Sequence, residues 1–170
     1  MARIAPFENY SDAYDRWFVD NSSVYAMELE AVREFIPADK HGLDIGVGTG
    51  KFDIPFDIKI GIDPSFEMAV KAKRSGIDVS LAVAEALPFK DGVFDFALMV
   101  TSVCFFDDVS TAFNEAWRVL KRGGSIIIGF VDSQSELGKR YIEKKDRSRF
   151  YREATFYSVP ELTGHLQNSG

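Results

Sequence analysis

The chain has 170 residues, 46% of them hydrophobic, and it carries a formal net charge of −6 with a pI near 5.0. This length and apolar content predict a single globular domain with a substantial core. The acidic balance argues against nonspecific nucleic-acid binding, which needs basic residues to displace counterions.

The N-terminal part of the chain, about residues 1–40, is predicted to form a helical cap. A helix is expected over 22–35, stopped before Pro37. Four aromatic residues precede it at spacings that put three of them on one helical face. They are Tyr10, Tyr14, Trp17 and Phe18. Two interpretations stay open: an apolar stripe that docks on the core, and a lid that shapes a ligand pocket.

Further along, apolar segments alternate with predicted helices. Strands are expected at 42–45, 58–62, 79–83, 94–100 and 125–131, and the last two are apolar enough to be central parallel strands. Ser65 is the expected N-cap of a helix that ends near Gly76, and Asp108 or Ser110 begins one that runs to Leu120. Residues 158–161 resemble the capping box of a last helix. The order predicts an α/β fold, a three-layer αβα sandwich around a doubly wound, mostly parallel sheet.

The glycine-rich segment after the first strand is the most informative stretch. Gly46, Gly48 and Gly50 would let main-chain N–H groups approach a ligand. The next apolar run ends with Asp63, about 20 positions after Asp44, where an acid can accept hydrogen bonds from two ribose hydroxyls. A tight turn without a ligand is the alternative. The G-x-G-x-G spacing, which differs from G-x-G-x-x-G, favours S-adenosylmethionine over a dinucleotide.

Four blocks in order then resemble the class I S-adenosylmethionine-dependent methyltransferases, in particular their type 11 small-molecule subgroup. They are Gly-Leu-Asp-Ile-Gly-Val-Gly-Thr-Gly (42–50), Gly-Ile-Asp-Pro-Ser-Phe-Glu-Met (61–68), Ala-Glu-Ala-Leu-Pro-Phe (84–89) with Phe94 and Asp95, and Glu-Ala-Trp-Arg-Val-Leu-Lys-Arg-Gly-Gly (115–124). The resemblance implies a Rossmann-like fold with S-adenosylmethionine as cofactor.

The same resemblance implies a role for each matching position. The residues around the methionine part would be Asp44, near the ammonium group, and Gly46, Val47, Gly48 and Gly50. Those around the adenosine would be Asp63 at the ribose, Pro64 and Met68 flanking the adenine, and Ala84 and Glu85 at its polar edge. Val100 and Thr101 would lie beside the reactive sulfonium.

The chain departs from the family pattern in the first crossover. Pro55 lies in the short stretch between Gly50 and Asp63, too short for the usual full helix. Because proline breaks helix interiors, we expect one or two helical turns from Lys51 and then a direct run through 57–62. The adenine block also has Val83 where an acid is often found, and Glu85 is the candidate to compensate.

The acceptor side is less well defined. Phe105 and Phe106 stand where many relatives have histidines, so no histidine base is assigned and the catalytic residue stays unknown. Asp107 and Asp108 could serve as a base, but the start of the next helix is the favoured interpretation. The candidate acceptor contacts are Tyr10, Tyr14, Trp17 and Phe105.

In family members a pair of strands usually follows the last helix. The resemblance therefore implies that this chain lacks the last two strands, that its C-terminal end is truncated, and that the strand at 125–131 is an exposed edge.

The predicted function is methyl transfer from S-adenosylmethionine to a small-molecule acceptor by in-line displacement, in which the protein supplies alignment and removes water. A noncatalytic cofactor-binding module is one alternative, and bound cofactor without transfer would support it. A nicotinamide-dependent oxidoreductase is another, and tighter binding of NAD would support that. The acceptor, the methylated atom and the oligomeric state are not determined.

Other partners and compartments are disfavoured. His41 and His165 are scattered and Cys104 is the single cysteine, so no metal cluster or disulfide is predicted, and Cys104 is expected to be buried. No secretory signal and no membrane-spanning run is found, so a cytoplasmic protein without membrane or nucleic-acid partners is expected.

Overall fold

The computed structural model describes residues 3–169 of the chain. Its helices and strands follow one another in an order that alternates after the N-terminal helices. They are α1 (Ala5–Asn9), α2 (Ser11–Asp20), α3 (Ser22–Arg33), β1 (Gly42–Ile45), α4 (Asp53–Phe56), β2 (Ile60–Asp63), α5 (Phe66–Arg74), β3 (Asp78–Leu81), β4 (Phe94–Val100), α6 (Val109–Val119), β5 (Leu120–Gly129), α7 (Glu136–Lys144) and α8 (Val159–Gln167).

The strands form one parallel sheet in the order β3-β2-β1-β4-β5. In the register of the central strands, Asp44 of β1 lies opposite Gly61 of β2 on one side and Leu98 of β4 on the other. The chain builds outward from β1 to β3 and then crosses back to β4, so the strand order reverses beside β1. Ligands of open α/β sheets bind at the carboxyl ends of strands at this kind of switch point.

Helices cover both faces of the sheet. On one face, Phe113 of α6 and Leu162 of α8 pack with Leu43 and Met99 of the sheet. On the other face, Phe18 and Val32 of the N-terminal helices pack on Phe96 and Leu98, while Ala69 and Ala72 of α5 pack on Val79. The predicted three-layer αβα sandwich is confirmed.

The predicted helix starts are also confirmed, because each depends on a hydrogen bond within one turn. Ser65 Oγ accepts from the Met68 N–H at 3.3 Å at the start of α5. Asp108, and not Ser110, caps α6. Ser158 and Glu161 form the capping box of α8 with both reciprocal bonds present.

The prediction for the first crossover was wrong in its position. Helix α4 begins at Asp53 and not at Lys51, and it contains Pro55. Proline is tolerated there because the N–H groups of a first helical turn have no intrahelical partner. Asp57 then adopts a left-handed conformation with φ of 57° and ends the helix, and β2 begins only at Ile60.

Four further strand boundaries differ from the predictions. The third strand spans Asp78–Leu81 and not 79–83, and the fifth begins at Leu120 and ends at Gly129. The early start arises because Leu120 already pairs with Phe94, with an irregular register before Phe96. Among residues 3–169, β5 has β4 as its one strand neighbour.

Glu115 and Arg118 of α6 fix the loop after β3. The Leu87 N–H donates to Glu115 Oε2 at 2.8 Å, and the Arg118 guanidinium donates to the carbonyls of Leu87 at 3.0 Å and Phe89 at 2.8 Å. Arg118 Nε also donates to Glu115 Oε1 at 2.6 Å. This arrangement holds the nearby Ala84 segment against the sheet.

The structure also bears on the single cysteine and on the length of the apolar helices. Cys104 is buried, as predicted, and burial raises the pKa of its thiol to about 12. No helix within the described residues is long and apolar enough to cross a bilayer.

Candidate functional site

A cavity of about 390 Å³ lies at the carboxyl ends of the central strands. Its walls come from the N-terminal helices, the loop after β1, the ends of β2 and β4, and the segment from Val131 to Tyr151. Most of the lining side chains are apolar or aromatic, with a few acids among them. This size and composition are typical of sites for small organic ligands.

The glycine loop turns away from β1 in left-handed conformations, with φ of 56° at Gly48 and 84° at Gly50. A Cβ at Gly48 would lie 3.0 Å from the Tyr14 hydroxyl, at the cavity wall. A Cβ at Gly50 would lie 2.3 Å from Ile77 Cδ1, away from the cavity. A side chain at position 48 would therefore enter the cavity, whereas a side chain at position 50 would collide with Ile77 in the protein interior.

We expected the N–H groups of this loop to approach a ligand, but several of them donate to acceptors within the protein. Those of Gly46 and Val47 donate to the Ile62 carbonyl at 2.9 Å, and that of Gly50 donates to the Val47 carbonyl at 2.9 Å. The Gly48 N–H is used by Asp63. The N–H groups of these four residues are thus satisfied within the protein, and Gly46 and Gly48 border the cavity without a side chain.

Asp63 lies at the end of β2 with 8% of its surface exposed. Its Oδ2 accepts from the Gly48 N–H and its Oδ1 from the Ser65 N–H, both at 2.8 Å. Burial raises the pKa of Asp63 to about 6, although the two backbone bonds favour the charged form. Each carboxylate oxygen keeps a further lone pair, so Asp63 can accept two hydroxyl donors from the cavity as well.

Asp44 and Asp53 form a buried carboxyl pair beside this loop. Their exposed fractions are 3% and 0%, and neither oxygen of Asp53 nor Oδ1 of Asp44 meets a donor within the described residues. Burial and the neighbouring Asp53 carboxyl raise the pKa of Asp44 well above its usual value, and burial raises the pKa of Asp53 to about 7. The pair can share one proton. Asp44 itself does not line the cavity.

The wall on the far side of Asp63 contains Pro64, Ala84 and Glu85. The Glu85 Oε1 accepts from the backbone N–H groups of Asp107 at 2.7 Å and Asp108 at 3.0 Å. This bond joins the Ala84 segment to the start of α6.

The chain bends sharply where β4 ends at the cavity. Val100 is its last residue, and Thr101 follows with φ of 53°, a conformation that is rare for a β-branched side chain. The Thr101 N–H donates to the Gly129 carbonyl at 2.7 Å, and Ser102 Oγ donates to the Ile45 carbonyl at 2.8 Å. These hydrogen bonds hold the backbone in the strained bend. Strained backbone of this kind is common at functional sites.

The remaining half of the cavity is walled by aromatic rings. Trp17 and Tyr14 of α2 and Phe105 line it. Tyr10 does not, because it precedes α2 on the outer surface, where the Arg149 guanidinium lies 4.6 Å from its ring centroid. Phe106 also lines the cavity and packs against the core.

Several lining residues were not found from the sequence. They are Arg3, Phe7, Glu28, Tyr141, Phe150 and Tyr151. The aromatic density of residues 141–157 was the available signal, but it has no motif spacing. Phe7 contacts Phe105 at a ring distance of 4.9 Å, and Tyr141 contacts Tyr151 at 5.1 Å.

The structure thus brings together most of the predicted cofactor residues and separates a few from the cavity. Those that line it are Gly46, Gly48, Asp63, Pro64, Ala84, Glu85, Val100 and Thr101. Those that lie behind its surface are Asp44, Val47, Gly50 and Met68. Met68 is 1% exposed and is one of the buried residues of α5.

The cavity fits an adenosine cofactor. The open space above Gly48 that a Cβ would enter and the carboxylate of Asp63 are its matching features. Within residues 3–169, no three His, Cys, Asp or Glu side chains converge as a metal site would require.

Comparison with known proteins agrees with this geometry. A family model described as a methyltransferase domain matches residues 43–128. An uncharacterized protein of Methanocaldococcus jannaschii is 49% identical over 164 residues, covering 96% of this chain and 80% of that protein. One of Mycobacterium tuberculosis is 36% identical over 162 residues, but the chain spans only 57% of its length.

A solved structure from Thermotoga maritima resembles the chain over nearly its whole length. It is described as an S-adenosylmethionine-dependent methyltransferase, a possible histamine N-methyltransferase. The two chains superpose with a TM-score of 0.95 at 46% identity, which covers 98% of this chain and 80% of that one.

Proposed function

The chain belongs to the class I S-adenosylmethionine-dependent methyltransferases and uses S-adenosylmethionine as its cofactor, and we propose that it transfers the methyl group to a small-molecule acceptor.

The observation that carries this proposal is the continuity of the cavity. It runs from Asp63 and the glycine loop, past Val100 and Thr101, into an aromatic enclosure. Such an enclosure suits a compact, partly apolar acceptor better than a nucleic-acid backbone, which would need several free cations. The description of the Thermotoga maritima relative, whose named acceptor is a small molecule, supports the same class.

The chain's own residues have distinct tasks in this proposal. S-adenosylmethionine, when bound, supplies an already activated methyl carbon, so alignment and exclusion of water are what the protein must add. Asp63 accepts hydrogen bonds from the ribose hydroxyls. The rigid bend at Thr101 forms the cavity wall where the cofactor and the acceptor meet. Trp17, Tyr14 and Phe105 keep water from the acceptor. No general base is assigned.

Isothermal titration with S-adenosylhomocysteine, the demethylated product, tests the cofactor part without knowledge of the acceptor. We expect saturable one-to-one binding, and no binding of NAD under the same conditions. A folded chain that bound NAD and not S-adenosylhomocysteine would contradict the proposal.

Transfer of a labelled methyl group tests the acceptor part. Small amines, phenols and carboxylic acids are compared with total RNA and with a protein extract, and S-adenosylhomocysteine release is measured in parallel. Labelling of small molecules alone is expected. Labelling of RNA or protein alone would overturn the small-molecule class, and cofactor binding without any transfer would favour a noncatalytic module.

A further inference from the structure

Glu28 is an acid of the cavity wall that the proposed methyl transfer does not yet use. It lies on α3 on the same face as Asn21 and Val24, at spacings of three and four residues, and all three line the aromatic half of the cavity. Leu137 and Tyr141 of α7 line the same space. Glu28 therefore faces the space left for the acceptor, on elements separate from the glycine loop.

The other ionised groups of the cavity have protein partners. Asp63 and Glu85 accept backbone hydrogen bonds at 2.7 to 3.0 Å. The Arg3 guanidinium donates to the carbonyls of Cys104 and Glu153, at 3.3 Å and 2.7 Å, and to Thr155 Oγ1 at 2.9 Å. The one cation among the described lining residues is thus tied to the protein.

Glu28 differs from these groups. Over residues 3–169, no side chain or backbone N–H donates a hydrogen bond to its carboxylate, and no cation pairs with it. Burial raises its pKa, and no donor offsets that effect. A partly buried carboxylate without a donor is costly, and a ligand that supplies one would be bound more tightly for that reason.

The surroundings of Glu28 specify the kind of donor. Burial first, and then the charge of Glu28, raises the pKa of Tyr141. Burial is also the main cause of the raised pKa of Tyr151, to which the Glu28 carboxylate makes a smaller contribution. The two rings meet edge to face at 5.1 Å, and Tyr151 stacks on Phe105 at 5.8 Å. A carboxylate beside aromatic rings is the arrangement that favours an ammonium group over a neutral or anionic one.

We propose that the acceptor is an amine, and that Glu28 binds its nitrogen through a charge-assisted hydrogen bond while the rings of Tyr141, Tyr151 and Phe105 enclose its apolar part. This inference rests on the proposed function, because it names the acceptor class of the same cavity. The excess of acids over cations in the described lining also disfavours an anionic acceptor.

The test compares matched ligands that differ in charge. Phenethylamine, phenethyl alcohol and hydrocinnamate are titrated into the full chain, with and without saturating S-adenosylhomocysteine. The amine is expected to bind at least about 10-fold more tightly than the alcohol, because only the amine forms a charged hydrogen bond. Benzylamine and cyclohexylamine, with their alcohols, extend the series to other shapes.

Variants locate the effect. Glu28→Gln should weaken amine binding by about 10- to 100-fold and leave alcohol binding unchanged, since only the charge is removed. Glu30→Gln is the matched control, because Glu30 lies on the same helix with 77% of its side chain exposed. Tyr141→Ala should weaken the amine and the alcohol together. None of the three variants should alter the affinity for S-adenosylhomocysteine.

The outcomes separate this inference from the proposed function. Equal binding of amine and alcohol across the series, no amine binding at all, or equal losses in Glu28→Gln and Glu30→Gln would overturn the role of Glu28. If S-adenosylhomocysteine still bound in those cases, the methyltransferase proposal would stand. Because the amines are also titrated without S-adenosylhomocysteine, the role of Glu28 is tested even if the cofactor proposal fails.

Discussion

The backbone N–H of Gly48 donates a hydrogen bond of 2.8 Å to Oδ2 of Asp63. The bond joins the loop after β1 to the end of β2, so that the two segments form one rigid edge of the cavity. The acid therefore both faces the cavity and anchors the glycine loop.

Asp63→Ala should lower the affinity for S-adenosylhomocysteine by about 1.5 to 3 kcal/mol, because hydrogen bonds to a charged acceptor are lost. Calorimetry measures the change. Asp78→Ala is the control, since Asp78 is an exposed acid on the neighbouring strand β3. An unchanged affinity in Asp63→Ala would remove Asp63 from the cofactor site.

Gly48→Val should abolish binding of S-adenosylhomocysteine in a chain that remains folded. The new side chain would enter the cavity next to Tyr14, where even a Cβ would lie 3.0 Å from the hydroxyl. Gly76→Val is the matched control, because Gly76 also has a positive φ, of 90°, but apart from its chain neighbours no atom of residues 3–169 lies within 4 Å of its Cβ position. Both variants carry backbone strain of about 1 to 2 kcal/mol.

Circular dichroism and calorimetry on the two glycine variants separate strain from obstruction. Normal binding by Gly48→Val would make the loop a structural turn only. Equal loss of binding in both variants would show that strain, and not the blocked cavity, is the cause.

The buried pair of Asp44 and Asp53 should make stability depend on pH. Burial raises the pKa of Asp53 from 3.8 to about 7, so the folded state keeps a proton that the unfolded chain releases. The contribution of this group to the free energy of unfolding is full below about pH 4 and is lost as the pH rises to about 7.

Asp53→Asn should remove much of that dependence, because the amide is neutral and can donate to the unpartnered Asp44. We expect a gain on the order of 1 to 3 kcal/mol at about pH 8 and little change at about pH 4. Denaturant unfolding at both pH values measures it. Asp57→Asn, at an exposed position, should show neither effect, and a destabilised Asp53→Asn at high pH would contradict the assignment.

Arg118→Ala should lower the free energy of unfolding by about 2 kcal/mol, since it removes charged hydrogen bonds to Glu115 and to two loop carbonyls. Arg122→Ala, at an exposed position near the start of β5, is the control. Urea denaturation compares the two variants. If the two variants lost the same free energy of unfolding, the hydrogen bonds between α6 and the Ala84 loop would not stabilise the fold.

Much of the fold follows from interactions between residues close in sequence. The caps at Ser65, Asp108 and Ser158 each bind an N–H within three residues, so the residue types alone predicted the helix starts. The glycine loop followed by Asp63 likewise predicted a ligand site at the carboxyl ends of β1 and β2, because the turn requires residues that tolerate positive φ.

The cavity wall could not be predicted in this way, because it depends on residues far apart in the chain. Phe7 meets Phe105 and Phe150, and Arg3 donates to Thr155, 152 positions away. Whether Glu28 gains or lacks a donor is a result of that packing. The sequence therefore specifies a class I fold and its glycine loop through local conformation, whereas the shape and charge of the aromatic half of the cavity arise from contacts between residues far apart in the chain.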